Sequence, residues 1–347
     1  LTNSGTLTNN YDGTLTNDGT LTNSGTLTND GALVNNGSAT LSNDGTLTNQ
    51  DTLTNTGVLD NQGTLVFAAG STLDNTGGTL NNNAGGVIES YVDDLYFSIA
   101  GSVNLDANSE FINQVAMTNA GDLVNNAKLT NKGVLANDLM LTNAFTLTNE
   151  AALNNNSGGT LNNDGTLTNT GTLKTDGVLS NNDSATLTNT GTLRVRKGRL
   201  DNNNSAVLSN EGTLRVKQSA TLNNDGTLTN NSGGTLTNDG TLSNAGTLNS
   251  DDTLYNNDSA TLTNTGTLRV RKGRLDNNNS AVLSNEGTLR VKQSATLNNE
   301  GTLTNNSGGK LNTEGTLTNE GELTNRGTLG VKQSARLNNQ GTLTNAG

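Results

Sequence analysis

The sequence predicts an all-β protein built as a parallel β-solenoid (β-helix), and three observations predict it. The run Leu-Thr-Asn-x-Gly-Thr recurs, with substitutions, along most of the chain down to Leu343-Thr344-Asn345. Each short Leu/Thr segment is typical of a strand, and the Asn-x-Gly after it is typical of a corner. A repeat this short cannot enclose a core alone, so its copies have to stack on one another.

The alternation of side chains along a strand predicts which face each residue takes. In Thr14–Asn17, an inward Leu15 places both threonines outward and turns Asn17 inward at the end of the strand. Stacked coils then place leucine over leucine, and each corner asparagine can bond the backbone or the asparagine of the next coil. The repeat therefore predicts a leucine core with asparagine ladders at the corners.

The leucine spacing predicts the size of a coil. Most leucines lie six or eight residues apart, and units such as 33–40 and 153–160 add two small residues at the corner. Three strands per coil then give a three-sided solenoid with about 20 residues per coil. The period also fits a left-handed helix, but corner asparagines and variable coil length favour a right-handed one.

Composition excludes several kinds of chemistry. The 347 residues include no His, Cys, Pro or Trp, so an imidazole base, a thiol nucleophile and a Cys/His zinc site are all excluded. We expect no enzyme activity, no cofactor, no catalytic residue and no metal site. The net charge of −12 disfavours nucleic acid as a partner, and no apolar run is long enough for membrane insertion.

Three segments differ in regularity. Residues 1–83 are a regular hexad solenoid, 84–117 are irregular, and 118–347 return to the regular pattern. The irregular segment predicts either a bulkier coil or a binding knob, because it holds half of the eight Phe and Tyr residues: Tyr91, Tyr96, Phe97 and Phe111.

The third segment contains an internal duplication with an offset of 75 residues. Residues 181–224 recur unchanged at 256–299, and the offset spans eleven leucine spacings. Eleven is not divisible by three, so a three-sided solenoid should place the two copies on different faces.

The duplication carries the clearest charge feature, an alternation of apolar and basic residues. Two interpretations remain open: a docking surface for an anionic polysaccharide or for the acidic turns of a second copy, or a solvated strand face. The candidate partner-binding residues are Arg194, Arg196, Lys197, Arg199, Arg215, Lys217, Arg269, Arg271, Lys272, Arg274, Arg290 and Lys292.

Two weaker patterns concern the outward residues. Stacked Thr-x-Thr rows are typical of several ice-binding solenoids, but insertions and charges interrupt the rows here. Corner acidic residues such as Asp18 and Asp164 could attract Ca²⁺, yet no calcium-loop signature accompanies them, which favours solvation.

Residues 59–65 (LDNQGTL), 73–80 (LDNTGGTL) and 82–89 (NNAGGVIE) resemble repeats of filamentous-haemagglutinin-type exoproteins and autotransporter passengers. That resemblance implies right-handed β-helical rods that bacteria secrete as adhesins or stalks. We therefore expect a non-enzymatic extracellular or cell-surface structural protein, a stalk or fibre that stacks end to end. The chain is a mature product or part of a longer parent chain, and the alternative is an adhesin or ligand-binding solenoid.

Overall fold

The fold was established from a computed structural model that describes residues 1–68, 71–90, 96–99, 101–114 and 116–347. The regular elements of these residues are β-strands, nearly all four residues long. They form two compact units, Leu1–Thr172 and Leu173–Gly347. Within the described ranges, no helix is long and apolar enough to cross a membrane.

The strands of the first unit share one sequence pattern, a leucine or another apolar residue in second place, from which the two-residue β1 departs. They are β1 Thr2–Asn3, β2 Thr6–Asn9, β3 Thr14–Asn17, β4 Thr20–Asn23, β5 Thr26–Asn29, β6 Ala32–Asn35, β7 Thr40–Asn43, β8 Thr46–Asn49, β9 Thr52–Asn55, β10 Val58–Asn61, β11 Thr64–Phe67, β12 Thr72–Asp74, β13 Thr79–Asn82, β14 Val87–Ser90, β15 Tyr96–Ile99, β16 Ser102–Leu105, β17 Glu110–Asn113, β18 Ala116–Asn119, β19 Asp122–Asn125, β20 Lys128–Asn131, β21 Val134–Asn137, β22 Met140–Asn143, β23 Thr146–Asn149, β24 Ala152–Asn155, β25 Thr160–Asn163 and β26 Thr166–Asn169.

The next strand begins on the last residue of the first unit, and the others belong to the second unit. They are β27 Thr172–Thr175, β28 Val178–Asn181, β29 Thr186–Asn189, β30 Thr192–Val195, β31 Arg199–Asn202, β32 Val207–Asn210, β33 Thr213–Val216, β34 Thr221–Asn224, β35 Thr227–Asn230, β36 Thr235–Asn238, β37 Thr241–Asn244, β38 Thr247–Ser250, β39 Thr253–Asn256, β40 Thr261–Asn264, β41 Thr267–Val270, β42 Arg274–Asn277, β43 Val282–Asn285, β44 Thr288–Val291, β45 Thr296–Asn299, β46 Thr302–Asn305, β47 Lys310–Thr313, β48 Thr316–Asn319, β49 Glu322–Asn325, β50 Thr328–Val331, β51 Arg336–Asn339 and β52 Thr342–Asn345.

Strand pairing is parallel and follows a fixed rule. Within each unit, most strands pair with the strand three places later in the chain, as β2 does with β5 and β28 with β31, whereas β12 is the last strand of the sheet that it forms with β3, β6 and β9. The register places leucine over leucine, for example Leu262 against Leu283. The two units together make about 17 turns of about 20 residues each, so the predicted parallel β-solenoid and its coil length are confirmed.

In the second unit the pairing produces three sheets. Sheet I contains β28 and every third strand to β52, sheet II runs in the same way from β29 to β50, and sheet III from β30 to β51. Each coil of this unit therefore contributes one strand to each sheet.

Burial follows the predicted alternation. In β40, Leu262 and Asn264 are buried, whereas Thr261 and Thr263 are partly exposed. The same order holds in almost every coil, and most core leucines are 0% exposed. Because burial of one leucine side chain contributes about 1.5–3 kcal/mol, a stack of them stabilises a chain with few other apolar residues.

The buried asparagines form the predicted ladders. Asn23 Nδ2 donates to Asn43 Oδ1 at 2.7 Å and to the Thr46 carbonyl at 2.9 Å. Each such bond runs from the earlier coil to the later one. In the second unit a ladder of eight successive bonds of 2.6–2.8 Å joins Asn181, Asn202, Asn224, Asn244, Asn264, Asn285, Asn305, Asn325 and Asn345.

The ladders are interrupted where an apolar residue takes the last position of a strand. In the first unit, Phe67 and Leu105 occupy that position and are buried. In the second unit, valines occupy it in stacked pairs, Val195 against Val216 and Val270 against Val291. A valine stacked on a valine leaves no buried amide without a partner inside the pair.

The longer corners contain a tight turn. In the corner after Asn156, the Gly159 amide donates to the Asn156 carbonyl at 2.9 Å, and Gly158 has φ of 93°. Glycine suits this position because its left-handed backbone carries no Cβ penalty. In the corner after Asn182, Asp183 takes φ of 47° instead, a conformation that aspartate and asparagine tolerate.

The predicted aromatic bulge or knob falls largely outside the described residues. Tyr91 is not among them, and of Tyr96 and Phe97 only the backbone strand β15 is described. Phe111 is 1% exposed and takes the core position that leucine holds in other strands.

Candidate binding surfaces

Corresponding strands of the two copies of the duplicated block lie on different sheets of the second unit. Arg194 and Arg215 are neighbours on sheet III, on β30 and β33. Their counterparts Arg269 and Arg290 are neighbours on sheet II, on β41 and β44. This is the change of face that eleven leucine spacings predict, and it separates the basic residues into two groups.

The remaining basic residues lie beside these pairs, at corners or at strand starts. After β30 and β33 the corners hold Arg196, Lys197 and Lys217, and after β41 and β44 they hold Arg271, Lys272 and Lys292. Arg199 begins β31 on sheet I, and Arg274 begins β42 on sheet III.

Acidic residues of the neighbouring coils pair with several of these side chains. Arg271 Nε lies 2.6 Å from Asp251 Oδ1, and Arg271 Nη2 lies 2.6 Å from Oδ2, so the pair is bidentate. Arg196 pairs in the same way with Asp176.

Two further basic residues pair with the following coil rather than the preceding one. Arg215 lies 2.6 Å from Asp239, and Lys292 lies 3.2 Å from Glu314. Exposed ion pairs of this kind contribute only about 0–1 kcal/mol each. They nevertheless neutralise part of the basic surface, and sequence alone did not reveal them because the partners lie 20 or more residues away.

Some basic side chains carry no ion pair within the part of the chain that the structure describes. They are exposed: Arg194 on sheet III and Lys197 at the corner beside it in the first copy, and Arg290 on sheet II and Lys272 at a corner beside it in the second. The register also stacks Arg194 directly against Arg215 and Arg269 against Arg290, a like-charge arrangement that destabilises a sheet.

A cavity on sheet III was not predicted. It has a volume of about 440 Å³ and is lined by residues of three successive coils, among them Arg274, Asp276, Asn298, Thr318, Glu300 and Glu320. Lining residues on successive coils are 20 to 24 positions apart in the sequence. Their proximity can therefore be predicted only when the length of each coil is known. A smaller cavity of about 270 Å³ near Arg215 and Asp239 lies on earlier coils of the same sheet.

The wall of the larger cavity is built around a buried carboxylate. Asp276 is 7% exposed, and its Oδ2 lies 2.8 Å from Arg274 Nε. Its Oδ1 accepts a hydrogen bond of 2.8 Å from Asn298 Nδ2. Both oxygens therefore have partners, which holds the arginine and the amide in place.

Tyr255 supports Arg274 from the neighbouring strand. The Arg274 guanidinium carbon lies 5.3 Å from the centre of the Tyr255 ring, a cation–π contact, and Arg274 Nη2 donates to the Tyr255 hydroxyl. That hydrogen bond, followed by the Asp276 charge, raises the pKa of Arg274. The guanidinium is therefore positively charged at any physiological pH.

Acidic side chains and the outward threonines were the two remaining features of the sequence. Among the described residues, no group of three or more acidic side chains is placed to hold a metal ion. On sheet III the outward row that contains Thr237 continues with Tyr255, Asp276 and Asn298, so threonines do not form an uninterrupted row there.

Comparison with protein families identifies the repeat. The model of the family described as Haemagglutinin repeat matches residues 1–95, 92–149 and 245–347, well over half of the chain. The chain belongs to the haemagglutinin-repeat family. The predicted resemblance to filamentous-haemagglutinin-type repeat proteins is thereby confirmed.

Two further comparisons of this haemagglutinin-repeat protein concern curated proteins and solved structures. No curated protein matches its sequence. A crystal structure of a TibC-catalysed hyper-glycosylated TibA55-350 fragment aligns over 97% of this chain and 98% of that chain, with 16% identity and a TM-score of 0.29. That TM-score is too low to support an inference.

Proposed function

We propose that this haemagglutinin-repeat chain is a non-enzymatic bacterial surface scaffold, a right-handed three-sided solenoid that serves as a stalk or fibre. Membership of the haemagglutinin-repeat family supports an adhesin-like or structural role outside the cell. The absence of His and Cys from the sequence removes the commonest bases and nucleophiles.

The polarity of the asparagine ladders supports end-to-end stacking of copies. Among the described residues, the ladder bonds of both units donate from the earlier coil to the later one, as Asn305 does to Asn325. The later face of any coil therefore offers Nδ2 donors, and the earlier face of any coil offers Oδ1 acceptors. Because core leucines lie in register as well, one copy can continue the stack of another with the same hydrogen bonds.

Electron microscopy of the purified, untagged chain without crosslinking tests this function. We expect filaments whose strands repeat at about 4.8 Å along the axis, the spacing between paired strands. Particles that remain single solenoids at all protein concentrations would overturn end-to-end stacking.

An adhesin that binds an anionic polysaccharide is the second candidate function, and the twelve basic residues are its proposed contact residues. The stacked pairs Arg194–Arg215 and Arg269–Arg290 favour it, because like charges placed directly opposite destabilise a sheet without another role. We expect the chain to bind heparin at low salt. Replacement of Arg194, Lys197, Lys272 and Arg290 by Gln should abolish that binding, and unchanged retention on a heparin column would count against this candidate.

A further inference from the structure

The duplication provides two copies of one surface cluster in different surroundings. In the second copy, Arg274 pairs with Asp276, and Asn298 donates to Asp276 at 2.8 Å. In the first copy, Arg199 pairs with Asp201 at 2.7 Å, and Asn223 donates to Asp201 at 2.7 Å. The cluster of arginine, aspartate and asparagine is therefore the same in both.

The neighbouring coils differ because they belong to sequence outside the duplicated block, which spans residues 181–224 and 256–299. The strand that precedes the cluster presents Tyr255 against Asp276 on sheet III but Ser180 against Asp201 on sheet I. Two coils after the cluster of the second copy, the corner residue is Glu320. The equivalent corner residue of the first copy is Ala245. Only the second copy thus combines the cluster with an aromatic support and an added carboxylate.

Charge in this cavity is mixed, which restricts the kind of ligand it fits. Arg274 lies at the wall with Asp276, and the exposed Glu300 and Glu320 lie on adjacent corners. An anionic ligand would meet the two glutamates, and a cationic ligand would meet the guanidinium. A hydroxyl group both donates and accepts hydrogen bonds, so it can use carboxylate, amide and guanidinium groups in turn.

The size and the composition agree with a small polyhydroxylated ligand. A cavity of about 440 Å³ lies within the usual range for small-molecule sites. Its polar groups are held by the Asp276 hydrogen bonds and by Tyr255, so little conformational entropy is lost when they bind. We propose that this cavity on sheet III binds a neutral saccharide through its hydroxyl groups. The site goes beyond the scaffold function and does not depend on stacking of copies.

Saturation-transfer NMR of the full chain with lactose, maltose and cellobiose tests the proposal. We expect transfer to at least one disaccharide, with no comparable binding of an acidic probe, oligogalacturonate. Arg274→Ala should weaken the binding at least tenfold. Glu320→Ala, which introduces the residue found at the equivalent position of the first copy, should weaken it as well.

The identical sequence of the first copy supplies the matched control. Arg199→Ala removes the same side chain from the same local sequence and an equivalent ion pair, without loss of the Tyr255 contact that Arg274 makes. We expect Arg199→Ala to change disaccharide affinity less than twofold. The proposal is overturned if no disaccharide shows transfer, if both arginine variants weaken binding equally, or if oligogalacturonate binds better than the neutral sugars. Filament formation in these variants reports separately on the scaffold function.

Discussion

At the scale of single residues, a ladder asparagine satisfies several buried groups at once. Asn264 accepts a hydrogen bond of 2.6 Å from Asn244 and donates to Asn285 at 2.7 Å and to the Thr288 carbonyl at 3.2 Å. The side chain is fully buried. Removal of its amide would leave the Asn244 donor and the Asn285 acceptor without this partner.

We therefore predict that Asn264→Ala is strongly destabilising. An unsatisfied buried polar group costs about 1–3 kcal/mol, and more than one such group would result. Thr263→Ala, on the outward face of the same strand, should stay within about 0.5 kcal/mol of the parent chain. Urea unfolding followed by circular dichroism measures both, and equal midpoints for the two variants would contradict a structural role for the ladder.

Valine at the ladder position shows why the predicted ladder is incomplete. The sequence repeat predicts asparagine at each corner, and Val270 and Val291 occupy two successive rungs instead. The substitution is tolerated because both rungs change together and pack on each other, a pairing that depends on the stacking of residues 21 positions apart.

At the scale of the corner, coil stacking leaves no space for a side chain at many glycines. A Cβ added at Gly246 would lie 2.1 Å from the Gly226 carbonyl oxygen of the preceding coil. The next nearest atoms are backbone atoms of Asp225 in the same coil, so no flexible side chain can move aside. At Gly37, by contrast, the nearest atom to an added Cβ lies 3.7 Å away, and φ is not in the left-handed region.

Gly246→Ala should therefore destabilise the second unit, and Gly37→Ala should not. We expect a loss of about 1–3 kcal/mol for Gly246→Ala, the usual cost of overpacking. Gly37→Ala should be neutral or slightly stabilising. Thermal unfolding midpoints compare the two, and a Gly246→Ala variant as stable as the parent would show that the coils can separate locally at little cost.

The sequence predicted the strands correctly but not the side-chain contacts between neighbouring coils. The alternation of Thr and Leu predicts the inward and outward residues of a strand such as β40, and the leucine count predicts the change of sheet between Arg194 and Arg269. It missed the pairing of Arg215 with Asp239 and the cavity beside Arg274. Those depend on corner lengths, which decide the residues that stack across coils.

At the scale of the molecule, near-equivalent faces make solenoid length adjustable. Corresponding strands of the duplicated block lie on different sheets, as β30 does on sheet III and its counterpart β41 on sheet II, so their inward residues fit either surrounding. Length can then change by duplication without a new core.

Deletion of residues 181–255 should therefore yield a folded, shorter solenoid. The deletion joins Ser180 to Asn256, which restores the local sequence of the first copy. We expect β-rich circular dichroism and a melting temperature within a few degrees of the parent. Aggregation or loss of β signal would show that the faces are not equivalent. Because Ser180 replaces Tyr255 beside Arg274, disaccharide binding should be lost.

The central claim is that coils stack in parallel with the register described, and engineered disulfides test it most directly in a chain without native cysteine. Thr263 and Ser284 are register neighbours on adjacent coils, and Thr304 lies one coil further. Neighbouring parallel strands are about 4.8 Å apart, within disulfide reach, whereas two coils span about 9.6 Å, beyond it. Under mild oxidation, the Thr263→Cys/Ser284→Cys chain should crosslink within one molecule, and the Thr263→Cys/Thr304→Cys chain should not, as read by peptide mass spectrometry. No crosslink in the first chain, or equal crosslinking in both, would contradict the stacked solenoid.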